Sequence, residues 1–200
     1  VFPGGVGTVE EVLYLLSILM HPDNNQAIPL VFAGPESCRE YFEELERFLV
    51  DCLGEDVRRH YRVIVGGAED VGRAIRSAND DVHAKRRATQ QAYYFNWELV
   101  ISPDLQEPFV PTHDVMAALQ LDAHLPKHEL ASALRRVFSG LVAGNVKAFG
   151  IEQVRLHGPY QLSGDKKFLS SMDRLLQMLV RQKRMKLDQE KYQPCYQLVE

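Results

Sequence analysis

The segment Pro3-Gly4-Gly5-Val6-Gly7-Thr8-Val9-Glu10-Glu11 carries the residue types best suited to chemistry in this 200-residue chain. Three glycines lie between an apolar pair, Val1-Phe2, and a long apolar run, as they do where a buried strand feeds a helix. Such a turn is a phosphate cradle. The first amides of the helix lack intrahelical acceptors, the helix dipole favours an anion there, and glycine permits positive φ and close approach of a ligand to the backbone. Pro3 stiffens the exit from the strand, and Thr8 offers a hydroxyl. Neither standard nucleotide loop fits. A Walker loop requires a lysine that is absent here, and the dinucleotide fingerprint requires a third glycine where the chain has Glu10. A plainer role also exists: Thr8-Val9-Glu10-Glu11 is a capping box, with Glu11 reaching back to the Thr8 backbone. A capping box alone does not call for Pro-Gly-Gly-Val-Gly ahead of it.

The elements that must hold this turn follow from periodicity. Thr8 to about His21 is helical in length and apolar nearly all round, so it is expected to be covered on most sides. Ile28–Gly34 and Arg62–Val65 read as short buried strands bounded by Pro and Gly. Between them, Ser37-Cys38-Arg39-Glu40 predicts a capping box that opens a helix with Tyr41, Phe42, Leu45, Phe48, Leu49 and Cys52 on one face. A further helix from about Glu69 places Val71, Ile75, Ala78 and Val82 on one face. This strand–helix alternation over 1–92 predicts a parallel sheet with helices on both sides, and its shortness predicts a preceding half outside the chain. From Tyr93 to about Asp114 the prolines and aromatics read as an ordered, irregular linker. Helices follow at roughly 127–149 and 165–186, and the tail KYQPCYQLVE is able to pack as a strand. The expected division is 1–92 and 93–200.

Composition excludes several classes. The net charge is −4, which disfavours a dedicated nucleic-acid binder. No apolar run reaches the length of a membrane span, so no membrane partner is expected. Three separated cysteines, Cys38, Cys52 and Cys195, suit a reducing cytoplasm better than a disulfide framework. The basic n-region of a secretory leader is missing.

The nine residues Pro3–Glu11 match the PGGxGTxxE motif of the LOG-type phosphoribohydrolases, a family often labelled lysine decarboxylase. The resemblance continues in RRHYRVIV (58–65), FNW (95–97), PDLQEPFVPTH (103–113), LRRVFSGLVAGNVKAFG (134–150), GPYQLSGDK (158–166) and RMKL (184–187). It points to the longer, nucleoside-monophosphate-cleaving members. It implies an α/β fold: the C-terminal half of a Rossmann-like parallel sheet followed by a mainly helical extension. It also implies hydrolysis of the N-glycosidic bond of a nucleoside 5′-monophosphate to free base and ribose 5-phosphate. By this resemblance Glu11 is the catalytic carboxylate, stabilising positive charge at the ribose or orienting water. Gly4, Gly5, Gly7 and Thr8 hold the phosphate, and Glu10 has no assigned role. The family also uses an arginine and a second glycine-rich segment from the preceding half, so the 200 residues alone are expected to be inactive.

Two other functions compete. A nucleotide carrier or sensor would keep the phosphate loop without needing Glu11. A cytokinin-type phosphoribohydrolase would share the chemistry, but its short chains end near the sheet. No cofactor and no metal are implied. His124 and His128 have ligand spacing, yet Pro126 intervenes and no carboxylates accompany them, so a surface or helix-start role is favoured. The basic stretch from Arg181 to Lys186 reads as a solvated last helical turn, with a regulatory nucleotide as the lesser alternative. Tyr93, Tyr94, Phe95 and Trp97 read as a buried anchor for the linker ahead of a base-stacking platform. A pyridoxal-phosphate decarboxylase lacks a lysine in a pocket-like setting. The apolar first helix and aromatic linker predict a homo-oligomer.

Overall fold

The computed structural model describes residues 1–24, 28–88, 90, 99–185 and 193–199. Tyr93, Tyr94, Phe95, Trp97 and Lys186 fall outside the described residues. The fold is mixed α/β, with small parallel sheets and a predominance of helix. Strand β1 (Val31–Gly34) pairs in parallel with β2 (Arg62–Val65), Val31 opposite Arg62 and Gly34 opposite Val65. On the other edge of β1, the Val1 amine donates to the Val31 carbonyl (2.7 Å), and Ala33 N–H donates to the Val1 carbonyl (2.9 Å). Val1 thus lies along the free edge of β1, held by these two bonds where a strand end was expected from sequence, but it is not itself part of a strand. The paired strand is shorter than Ile28–Gly34.

Helix α1 (Val6–Leu19) leaves the sheet directly after this edge. Its start sits at the carboxyl ends of the parallel strands, the edge at which open α/β sheets bind ligands. Contact there is close: a Cβ on Gly34 would lie 2.9 Å from Pro3 Cγ, so the end of β1 packs against the proline that precedes the turn. The helix begins at Val6 with Gly5 as N-cap and no side-chain cap, so the Thr8–Glu11 capping box is not formed. A second predicted cap fails as well. A 3-10 turn at Glu36–Cys38 precedes α2 (Arg39–Leu53), Ser37 caps nothing, and Arg39 instead pairs with Glu36 at 2.6 Å. The apolar face predicted for α2 is correct: Tyr41, Phe42, Leu45, Phe48, Leu49 and Cys52 are all buried.

Helix α3 (Ala68–Ala88) departs from expectation. Among its residues only Val82 and Arg86 are buried, and Ile75 is 47% exposed, because little of this chain packs on the predicted stripe. The region read as an irregular linker holds two short helices, α4 (Pro103–Gln106) and α5 (His113–Ala117), the second capped by Thr112 Oγ1 accepting from Val115 N–H. The long helix predicted over 127–149 is broken at Lys147 into α6 (Lys127–Val146) and α7 (Ala148–His157). A Cβ on Gly150 would sit 2.3 Å from the Ala143 carbonyl, so the two helices meet backbone to backbone. Strand β3 (Tyr160–Leu162) precedes α8 (Lys166–Arg181), and β4 (Tyr196–Leu198) returns to pair in parallel with β3, as the tail pattern allows.

One continuous apolar core joins the two halves. Helix α6 is the principal neighbour of α1 and also meets α2, where Phe48 and Phe138 stand edge to face at 5.5 Å, and α8 packs on α2. Across the α2–α8 seam Asp51 accepts from Ser171 Oγ (2.8 Å) and pairs with Arg174 (2.9 Å). Burial would push the Asp51 carboxyl up, but the hydrogen bonds from Arg174 and Ser171 outweigh it and hold its pKa down. Among the described residues no helix is long and apolar enough to cross a membrane.

Candidate active site

The opening turn of α1 leaves two amides without acceptors. Thr8 N–H and Val9 N–H both donate to the Gly5 carbonyl (3.1 and 3.3 Å), whereas Val6 N–H and Gly7 N–H meet no acceptor among the described residues. These are the orphan donors of a helix N-terminus. The glycines serve this turn by size, not by left-handed backbone: Gly4, Gly5 and Gly7 all lie outside the positive-φ region, contrary to one of the reasons expected for them. A Cβ on Gly4 would fall 2.0 Å from Thr8 Oγ1, so Gly4 makes room for the Thr8 side chain. A Cβ on Gly5 would fall 2.3 Å from the Arg184 carbonyl oxygen. Gly7 faces open space, its nearest contact being Val142 Cγ2 at 4.0 Å.

Spacing then sets out one face of α1. Gly7, Glu11, Tyr14 and Leu15 are related by three- and four-residue steps and share that face, while Val9, Val12, Leu13 and Leu16 fill the core on the other side. With Glu10 and Arg135 of α6 they line a cavity of about 500 Å³. Glu11 is exposed and has no ion-pair partner among the described residues. The Arg135 guanidinium carbon lies 5.6 Å over the Tyr14 ring centroid, and its Nη1 is buried without a hydrogen-bond partner among the described residues.

A second, smaller cavity of about 180 Å³ opens beside Gly5, Val6 and Gly7, walled by Asn145, Arg184 and Met185. Arg184 stacks over Tyr41 (4.8 Å) and points Nη2 at Cys38 Sγ (3.6 Å). Tyr41 is buried, and burial raises its pKa against the opposing pull of the nearby Gly4 backbone and Arg184. The basic stretch is therefore not a solvated last helical turn. Helix α8 ends at Arg181, Lys183 takes a left-handed conformation (φ 55°), and Arg184 folds back onto the α/β half.

The structure brings Gly7 and Glu11 onto one cavity wall with Arg135, which sequence reading missed; Gly5 lines the neighbouring smaller cavity, and Gly4 and Thr8 line neither. Arg135 lies in the quoted segment 134–150, flanked four residues away by buried Ala131 and Ser139. Small residues on either side of an arginine mark a helix face pressed against a neighbour, but only the α1–α6 packing identifies that neighbour. His128 packs edge-on against His21 (4.7 Å), while His124 is exposed, and among the described residues no metal-ligand cluster is found.

The cysteines belong to the core. Burial pushes the Cys52 thiol up to about 12 and the Cys195 thiol up to about 11. Iodoacetamide at pH 8 is expected to leave both unmodified in the folded chain and to label both after denaturation, as read by peptide mass spectrometry. Only the unfolded chain ionises them near the ordinary 9.0, so folding stability falls as pH rises above that value, by about 1 kcal/mol per thiol at pH 10.

A parallel α/β unit that presents a helix N-terminus at its carboxyl edge, with a helical extension closing one side of the cavity, defines the class. Residues 1–75 match the family model described as "Possible lysine decarboxylase", and residues 79–199 match that described as "Pyrimidine/purine nucleotide monophosphate nucleosidase, C-terminal". The chain belongs to the family of that C-terminal model. It is 50% identical over 199 residues to proteins named "Pyrimidine/purine nucleotide 5'-monophosphate nucleosidase" from Escherichia coli strain K12 and from Escherichia coli O157:H7. The alignment covers 99% of this chain and 44% of each relative, so the chain spans less than half their length.

Proposed function

We propose that the protein containing this chain hydrolyses the N-glycosidic bond of nucleoside 5′-monophosphates, releasing base and ribose 5-phosphate. The observation that carries the reading is the order along one face of α1: an orphan amide at Gly7, then the exposed Glu11 carboxylate on the wall of the same cavity. A 5′-phosphate at the amides, where dipole and donors favour an anion, sets the ribose one helical turn along, beside Glu11. Cleavage builds positive charge on C1′ and the ring oxygen, and a carboxylate there stabilises it and orients water. Gly4, Gly5, Gly7 and Thr8 hold the phosphate in this scheme, and the mechanism requires no metal or cofactor. The name of the relatives, a nucleotide 5'-monophosphate nucleosidase, agrees with this reaction. No lysine lines either cavity, which leaves a decarboxylase without its Schiff-base residue among the described residues.

The chain works in the cytoplasm and within a homo-oligomer. Exposed Ile75 on α3 and exposed Phe149, Ile151 and Leu156 on α7 support further cover, and a light-scattering mass of a single chain for the full-length protein would count against it. The decisive experiment incubates full-length protein with a panel of nucleoside monophosphates. Free base and ribose 5-phosphate are expected; binding without any base release would favour a carrier or sensor.

A further inference from the structure

We propose that Arg135 contacts the substrate, its guanidinium donating hydrogen bonds to the edge of the departing base. The inference rests on the nucleosidase reading and adds a residue from the helical extension to the site.

Arg135 Nη1 is buried and has no acceptor among the described residues. A guanidinium stays charged at all accessible pH, and a shielded charged donor without a partner is costly to keep. Its neighbour shows the ordinary alternative: Arg136 pairs with Asp104 at 3.0 Å. Arg135 is nevertheless held in place, stacked over Tyr14 and set between the buried Ala131 and Ser139 on the face of α6 that meets α1. Glu11 lines the same cavity but makes no ion pair with it. A donor that is fixed, charged and unpaired, on the wall of a cavity, is poised for an acceptor that arrives with a ligand.

Position selects which part of the ligand. Along α1, Glu11 stands about 6 Å and Tyr14 about 10 Å beyond Gly7. Phosphate at Gly7 and ribose at Glu11 leave the base at Tyr14, where Arg135 sits. During hydrolysis the C1′–N bond breaks and both electrons leave with the base nitrogen. The water oxygen bonds to C1′, and the proton it loses passes by way of the carboxylate to the base. Arg135 exchanges no proton; its N–H groups stabilise the negative charge that gathers on the base. Purines offer N7 and pyrimidines offer O2 as acceptors, so one cation serves both classes.

The test uses full-length protein with Arg135→Met and Arg135→Lys. Two substrates are compared: a nucleoside 5′-monophosphate, and ribose 5-phosphate bearing p-nitrophenolate at C1′, which departs unaided. Arg135→Met is expected to lower kcat on the nucleotide about 100-fold while changing the nitrophenyl substrate by less than about 3-fold, with Arg135→Lys in between. Equal losses on both substrates, a rise in KM alone, or no loss on the nucleotide overturns the assignment. If Arg135→Met lowers the melting midpoint, the Lys variant, which keeps the charge and the stem, supplies the same ratio. Wild-type protein inert towards every nucleotide would sink the nucleosidase reading itself; an active wild type with an unchanged ratio sinks only Arg135.

Discussion

Glu11→Gln in the full-length protein is expected to lower kcat for base release about 1,000-fold or more, while nucleotide affinity stays within about tenfold. The substitution keeps the shape of the side chain and removes its charge. Glu11 is exposed and carries no ion pair, so no fold contact among the described residues is lost and the melting midpoint should hold. On the proposed site, affinity is expected to be retained, because the amides one turn earlier would hold the phosphate and the change does not touch them. The loss falls on kcat because the carboxylate acts on charge that exists only as the glycosidic bond breaks. Steady-state kinetics with a nucleoside monophosphate, paired with calorimetric binding, separates the two quantities. Activity within tenfold of wild type would remove Glu11 from the chemistry. A carrier, by contrast, would be indifferent to the change in every assay.

The glycine turn and the elements around it were legible because each rests on local chemistry. The α2 stripe from Tyr41 to Cys52 announces itself at a helical period, and the end of α8 is the only α8 feature that misled. The failures have physical causes. Thr8 and Ser37 both satisfy a capping pattern, yet α1 starts at Val6 behind Gly5 and α2 grows from a 3-10 turn, so neither side chain stands at a helix start. Gly144, Asn145 and Val146 before the break at Lys147 are weak helix formers, but the apolar register of α6 runs on past them towards Gly150; what the register does not encode is the close approach of Gly150 to Ala143. The stripe on α3 was read correctly as apolar, but burial depends on what packs there, which no period encodes. Arg135 and Arg184 reach the site only through long-range packing. Sequence therefore singled out the glycine turn and Glu11, and the structure adds Arg135 and Arg184 on the walls of the cavities beside them.

Gly7→Ala separates the two uses of glycine at this turn. A Cβ there meets nothing nearer than 4.0 Å, and the residue does not have positive φ, so the fold accommodates it. Alanine loses less backbone entropy than glycine on entering a helix, and stability is expected to hold or rise by up to about 1 kcal/mol. If the Gly7 amide lies against a phosphate, the same methyl group occupies the ligand's space. Nucleotide affinity then falls, and a displacement of about 1 Å costs about 100-fold in kcat/KM. Gly5→Ala makes the contrast: its Cβ would stand 2.3 Å from the backbone oxygen of Arg184, so α1 or the segment after α8 must shift. Overpacking of this kind costs about 1–3 kcal/mol, and stability and activity fall together. Melting midpoints and kcat/KM measured side by side on the two variants decide the matter. A stable Gly7→Ala protein with undiminished turnover would show that the open space beside Gly7 is not where the phosphate binds.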